Sequence, residues 1–319
     1  MRQHTLVALA RLQDSISRFD SRQPAVQVGR TLIAASQILT LTVTPWTRLT
    51  PQILDTPAAP ICRGVTRPSL FCLTPDDQPA IAIVVALVVL AAVCAGVVPR
   101  VTGLAHAWVS YSIAVSLGLP DGGEQAAQVV TVLLIGLTVA DERVIAWRRS
   151  PAPAATSVTS VTSVTQGIAF ASWWLLRLQV AGIYLHSAIA KLGVEDWVNG
   201  SALYYVVRDP SFGASGLVGE ALRTVTSTPL GVATLTWGTV VTEAGLAVLL
   251  LMGPRARRLA LTAALVLHVG IIVGIGLWSF ALIMIGSVWV AADLPVPARS
   301  ASDRPVTTMW RNQGAPRSG

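Results

Sequence analysis

The sequence predicts an all-α, polytopic integral membrane helix bundle with about eight spanning segments and both termini on the cytoplasmic side (N-in/C-in). Three observations carry that prediction. The chain of 319 residues is 53% hydrophobic and only 12% charged, with a mean hydropathy of +0.62. Soluble domains carry about a quarter charged residues, so this chain has too little polar surface to cover itself in water. Apolar stretches close to the roughly 20 residues that a spanning helix needs recur along its length. Basic residues fall in short clusters between those stretches rather than in one stripe, as positive-inside topology requires.

Taken in order, residues 1–28 hold Arg2, Arg11, Arg18 and Arg22 and lack the apolar core of a cleavable signal peptide. Leu6, Leu9, Leu12 and Ile16 recur there at helical spacing. The segment reads as a cytoplasmic amphipathic helix, lying either on the inner leaflet or on the protein's own inner face. Spans are expected near 29–49, 80–98, 101–119 and 125–141, making a first four-helix half over 29–149 with an external loop at 50–79. Ser150–Gln166 (SPAPAATSVTSVTSVTQ) is rich in Ser, Thr, Pro and Ala and reads as a flexible cytoplasmic linker. Further spans are expected near 167–190, 229–252, 259–278 and 280–294, a second half over 167–294. Residues 295–319, with Pro295, Pro297 and scattered arginines, read as a disordered cytoplasmic tail.

The net charge of +7 would suit a nucleic-acid binder, but no basic run with interleaved aromatics exists, and no nucleic-acid partner is expected. With the N-terminus inside, Arg30, Arg100, Arg143, Arg148, Arg149, Arg255, Arg257 and Arg258 fall on the cytoplasmic side. Arg48, Arg63, Arg67, Arg208 and Arg223 fall outside, and the asymmetry sets the orientation in a bacterial plasma membrane. Cys62 and Cys72 share the external loop, in an oxidising compartment where disulfides persist. A structural bridge is expected, free thiols being the alternative. No His or third Cys is near enough to suggest a metal, and Cys94, within a span, reads as packing.

Ionisable groups inside spans are functional candidates by default, because burying a charge in lipid is costly. The densest stretch is RLQVAGIYLHSAIAKLGVEDWVNG, residues 177–200. Arg177, Tyr184 and Lys191 recur every seven residues and share a helix face, a polar stripe to which His186 is assigned as a flanking member. Lys191 is the only lysine beside 22 arginines. Glu243 and His268 each stand alone in later apolar runs, so both should face a protein interior. Glu243 could pair with Arg177 or Lys191, and a pair that only fixes helix register is the bland alternative. For His268 the bland alternative is an interior hydrogen-bonded histidine. His106 reads as structural. Trp197 reads as an interfacial anchor, with Asp196 and Asn199 marking a helix start.

YLHSAIAKLGVEDWVNGSALYYVVRDPSFG resembles the signature of the HTTM domain, shared with the vitamin K-dependent γ-glutamyl carboxylases: an apolar helix ending in Lys-Leu, an acidic step, then Asp196, Trp197 and Gly200. Glu243, the PRARR turn at 254–258 and His268 follow in the order that domain implies. The likeness covers residues 170–290 well and the first half more loosely. Within the superfamily the cysteine loop and compact length are most similar to the sporulation-delaying protein B type. The resemblance implies maturation of an exported peptide toxin, together with a small partner protein and the exported pro-peptide. It also implies that Lys191 stands where the carboxylases have their catalytic base, with Glu243 and His268 completing the catalytic candidates. This chain has no counterpart of the large lumenal domain that binds the carboxylases' substrate, so vitamin K-dependent carboxylation is not implied. The cofactor stays open, a quinone-type group resting on the resemblance alone. Two functions therefore stand: a toxin-maturation factor, or an enzyme in its own right using Lys191 as base on a quinone or other lipid-soluble substrate. A nearby Glu243 or Asp196 would instead hold Lys191 as a charged structural partner, and the residues do not choose between these roles. A transporter is disfavoured, since no inverted repeat or pair of broken helices stands out.

Overall fold

Proline sets most of the helix boundaries. It occupies the first turn of five of the long helices, where its missing N–H leaves no hydrogen bond unmade and its fixed φ suits the helix. The computed structural model describes residues 12–17, 19–50, 60–75, 78–118, 122–148 and 160–292. Eight long helices result: α1 (Pro24–Val43), α2 (Pro79–Ala95), α3 (Pro99–Ser116), α4 (Gly123–Val139), α5 (Ser160–Leu192), α6 (Pro229–Leu251), α7 (Pro254–Ile275) and α8 (Trp278–Ala292). No strand occurs among the described residues. Four helices are long and apolar enough to cross a membrane: α1, α5 over Val164–Leu192, α6 and α7. The helices α2, α4 and α8 are apolar but shorter. Of the N-terminal segment 1–28, residues 12–17 are helical and Pro24 already opens α1, while 1–11 and 18 lie outside the described residues, as does the tail at 295–319.

One boundary expected from the sequence shifts. The linker was expected to run to Gln166, yet α5 begins at Ser160. Residues 160–166 simply extend a helix that already exists, and propagation adds a hydrogen bond for each residue fixed, which outweighs the weak helix propensity of Ser, Thr and Val. The buried side chains of the two halves form two clusters that both include α1. One cluster of buried side chains joins Ile33 of α1, Val130 and Leu134 of α4, Leu176 and Val180 of α5, Leu246 of α6, Ala264 of α7 and Val288 of α8. A second joins Ala34 and Leu41 of α1 to Ala86 and Leu90 of α2, Val109 and Ile113 of α3, and Leu70 and Phe71 of the cysteine loop. Helix α1 serves both cores.

The closest helix contact is α1 against α8. A Cβ on Gly29 would lie 2.6 Å from the Gly286 carbonyl oxygen and also against Val290, and a Cβ on Gly286 would lie 2.8 Å from the Gly29 oxygen. Small-residue crossings of this kind let two backbones touch where lipid offers no hydrophobic drive. Beside them, Ser36 Oγ donates to the Ser279 carbonyl at 2.9 Å.

Outside the long helices, Cys62 and Cys72 are joined by a disulfide with a Cα–Cα distance of 5.5 Å. Closing a loop of this size contributes about 2–3 kcal/mol in the chain-entropy picture. The loop is tied to α3, where Ser112 Oγ accepts from Leu70 N at 2.9 Å and Trp108 Nε1 donates to Pro68 O at 2.9 Å. Cys94 remains free, its thiol directed to the Thr31 carbonyl.

Two outcomes follow from this packing. Gly29→Val and Gly286→Val should each cost about 1–3 kcal/mol through overpacking, read as a lower melting temperature in detergent, whereas Gly182→Ala, which meets open space, should cost nothing measurable. Cys62 and Cys72 should alkylate only after reduction, and Cys94 independently of reductant; ready labelling of the loop pair in unreduced membranes would remove the bridge.

Candidate functional site: a lysine–glutamate pair at a helix break

Helix α5 stops at Leu192 although the chain does not leave the bundle there. Gly193 and Val194 interrupt it, and the short helix Glu195–Val198 follows. Gly200, buried at φ +83°, then turns the chain against Ala233 and Trp237 of α6. That left-handed conformation strongly favours glycine, which gives a physical reason for Gly200 in the motif. A further helix, Ala202–Arg208, is fixed by Leu203 N donating to Thr236 Oγ1 at 3.2 Å. The break sets the end of α5 beside the middle of α6.

Lys191 lies in the last turn of α5, where a cation is favoured by the helix dipole. Its Nζ donates to Glu243 Oε1 and Oε2 at 2.9 and 2.8 Å and to Ser187 Oγ at 2.7 Å. All three ammonium hydrogens therefore have acceptors. The side chains of Lys191 and Glu243 are only 19% and 10% exposed. Trp197 places its ring 5.1 Å from Nζ, within cation–π range, so the residue expected to anchor at the interface covers the ammonium. Asp196 sits within the short helix, exposed, its carbonyl accepting from Ser201 N at 2.9 Å. Asn199 follows that helix instead of starting one, and its side chain accepts from Ser201 N at 3.0 Å.

Two turns back along the same face, the Tyr184 hydroxyl and His268 Nε2 of α7 lie 2.8 Å apart. Which of them donates depends on the imidazole tautomer. His268 also meets Phe280 of α8 edge-on at 5.5 Å, and its Nδ1 is buried without a hydrogen-bond partner. Arg177, two turns further back and fully buried, donates from Nε to the Ala291 carbonyl at the end of α8 at 3.1 Å. Its guanidinium stacks 3.5 Å from the Trp173 ring centroid. Arg257 does the same at Ala292 O, 3.1 Å away, so the carbonyl-rich end of α8 receives two cations.

The stripe is thus real as a face but not as one network. Arg177 serves α8, Tyr184 serves α7 and Lys191 serves α6. His186 does not join it: two residues past Tyr184 it points about 200° round the helix, and it is exposed. Of the two partners open to Glu243, the structure selects Lys191. Ser187 was missed although it stands one turn before Lys191, at the i−4 position that brings a helical hydroxyl to a lysine. Chemically the arrangement is a hydrogen-bonded ion pair. As drawn, Nζ has no lone pair to offer, and movement of one proton to Glu243 would leave a free amine beside a carboxylic acid.

These features define a helical membrane protein with an ion pair buried at an interrupted helix. The chain belongs to the family of the sporulation-delaying protein SdpB. It is 31% identical to SdpB of Bacillus subtilis (strain 168) over 230 residues, 71% of this chain and 68% of that one. It is 34% identical to YitO of the same organism, an uncharacterized protein, over 288 residues, 87% of this chain and 89% of that one. No family model and no solved structure matches.

Breaking a buried pair by removing one partner costs about 3–5 kcal/mol. Lys191→Met and Glu243→Leu should each therefore lower the amount of folded protein, and the double substitution should recover most of it. Two single effects that merely add in the double-mutant cycle would show that the pair is not coupled.

Proposed function

We propose that this chain is a multi-pass membrane factor that matures an exported peptide toxin, acting with a small partner protein. The observation that carries this reading is the 31% identity to SdpB across most of both chains. The eight long helices are then eight spans with both termini cytoplasmic. This places the disulfide-closed loop and the segment after the helix break on the exported side, where a pro-peptide would arrive. Membership of the HTTM superfamily is part of the same proposal and rests on the motif around Lys191, Asp196, Trp197 and Gly200.

A second reading, an enzyme of carboxylase-like ancestry, is favoured by one feature of the site. Lys191 and Glu243 are hydrogen-bonded beside the break, and α7 presents His268 on the neighbouring stretch of the same α5 face. Were a quinone-type group bound, the buried, unpartnered His268 Nδ1 is the atom suited to one of its oxygens. Such a group would supply an acidic hydroquinone or an electrophilic carbonyl. In this reading Glu243 first takes a proton from the Lys191 ammonium, the free amine then accepts one from the substrate, and Tyr184 fixes the His268 ring.

Lys191→Arg separates the readings. Arginine keeps the charge and the pairing geometry but does not deprotonate in proteins. With maturation normalised to folded protein, the arginine variant should retain activity if Lys191 only holds the break closed. It should lose about a hundredfold or more if the amine is a general base. Lys191→Ala fails in both cases. Normal maturation by Lys191→Arg sinks the enzyme reading. For topology, single cysteines on a Cys-free background should label from outside at 60–75 and 210–220 and only from inside at 150–159; external labelling of 150–159 overturns the orientation.

A further inference from the structure

We propose that the helix Gly216–Thr226 lies along the outer surface of the bilayer and sinks its Leu217–Ala221–Val225 edge into the acyl chains of the outer leaflet. This placement takes α6 and α7 as membrane spans, as in the function proposed for the chain. At 100° per residue the sequence GLVGEALRTVT divides into three arcs. Leu217, Val218, Ala221 and Val225 fall within about 100° of arc and all are exposed, Leu217 by 85%. Gly219, Leu222, Arg223 and Thr226 form the next arc and are buried or half-buried. Glu220 and Thr224 take the remainder, exposed. A helix on a water-facing surface needs two arcs, one apolar and inward and one polar and outward. This helix has a third, apolar and outward, which fits a place where protein, lipid and water meet.

Two contacts fix its level and tilt. Leu222, in the middle of the helix, reaches the outer end of α7, its Cδ1 3.4 Å from where a Cβ on Gly274 would stand. At the other contact only Ser227 and Thr228 separate the helix from Pro229, which opens α6. The 23 residues of α6 make a helix about 34 Å long, close to the roughly 30 Å of the hydrocarbon core. Pro229 therefore stands at the membrane boundary. Middle and end of the helix both meet the ends of spans, so its axis runs along the surface and not into it. The corner into α6 is tight: Thr228 Oγ1 donates to Val225 O at 2.9 Å and accepts from Gly231 N at 3.1 Å, and a Cβ on Gly231 would overlap the Val225 carbonyl. Leu230, in the first turn of α6, is likewise apolar and 79% exposed.

Both arginines of this segment turn inward. Arg208 donates to Arg223 O, Thr226 Oγ1 and Ser227 Oγ at 3.0, 2.9 and 2.9 Å, pinning the end of the helix. Arg223 donates to Ala214 O at 3.3 Å, pinning its start. Neither is left for a phosphate headgroup, so apolar area carries the contact and no anionic lipid is needed. The exposed arc has no side-chain donor, acceptor or charge by which a protein partner could be selected, and an acyl chain needs none.

The test uses the full-length protein in phosphatidylcholine nanodiscs, carrying Cys94→Ala with the Cys62–Cys72 bridge intact and labelled without reductant. A bimane is attached after Leu217→Cys, Ala221→Cys, Val225→Cys, Glu220→Cys or Thr224→Cys. Val241→Cys, at an exposed position in the middle of α6, reports the bilayer centre. Lipids brominated near the headgroup should quench positions 217, 221 and 225 several-fold more than 220 and 224, and aqueous iodide should do the reverse. Lipids brominated at the chain terminus should quench position 241 most, and adding phosphatidylglycerol should change none of these. Equal lipid quenching at 217 and 220, with 241 quenched, overturns the proposal. Protection of 217 and 225 from both quenchers also overturns it and puts a protein, a second copy or a partner, on this edge. Absence of lipid quenching at 241 removes the span reading itself, and the proposal with it.

Discussion

Ending a helix inside a bundle leaves carbonyls without intrahelical partners, and in lipid such groups cannot be left to water. The termination of α5 at Leu192 is the constraint from which the site follows. The break itself meets two of those carbonyls, Gly193 N donating to Ala190 O and Val194 N to Lys191 O, each at 3.1 Å, while the Lys191 ammonium in the last turn is neutralised by Glu243 of α6. Trp197 closes over the ammonium, and Gly200 turns the chain back onto α6 at a conformation that strongly favours glycine. Without Glu243 the ammonium would be left as an uncompensated charge at the end of α5.

Buried cations are met by helix-end carbonyls elsewhere in this bundle. The end of α8 collects Arg177 and Arg257, and tryptophan faces supply the remaining compensation. Polar side chains are then used as fasteners between helices: Gln37 donates to Ser110 and Glu124, and Ser36 and Thr40 meet Ser279. Along the same α1–α8 contact, glycine brings the two backbones together. Apolar side chains fill the space between these contacts, but lipid is as apolar as they are, so specific approach comes from small and polar residues.

The SdpB family relationship gives this architecture a setting. A site at a helix break, with a lysine tied to a glutamate and an interior histidine two turns away, can serve either as a rigid joint or as a place where one proton moves. The difference lies in whether the pair ever separates, and a folded structure with the pair closed is compatible with both.

The sequence by itself determined the apolar helices, their approximate ends, the paired cysteines and the face of α5 that carries Arg177, Tyr184 and Lys191. Each follows from a local rule: span length, proline at a first turn, two cysteines in one loop, a seven-residue step. Tertiary structure decided what those residues touch. Helical spacing placed three polar groups on one face but could not say that they serve three different helices, since partners such as Glu243, His268 and Ala291 lie 52, 84 and 114 positions away. Trp197 read as an interfacial anchor because any aromatic near a span end does, and only the break at Gly193 brings it over an ammonium. Arg30 was counted on the cytoplasmic side because positive-inside bookkeeping counts charges by sequence position, yet it is 1% exposed. Its burial depends on α3 packing beside α1, a contact that no local pattern encodes.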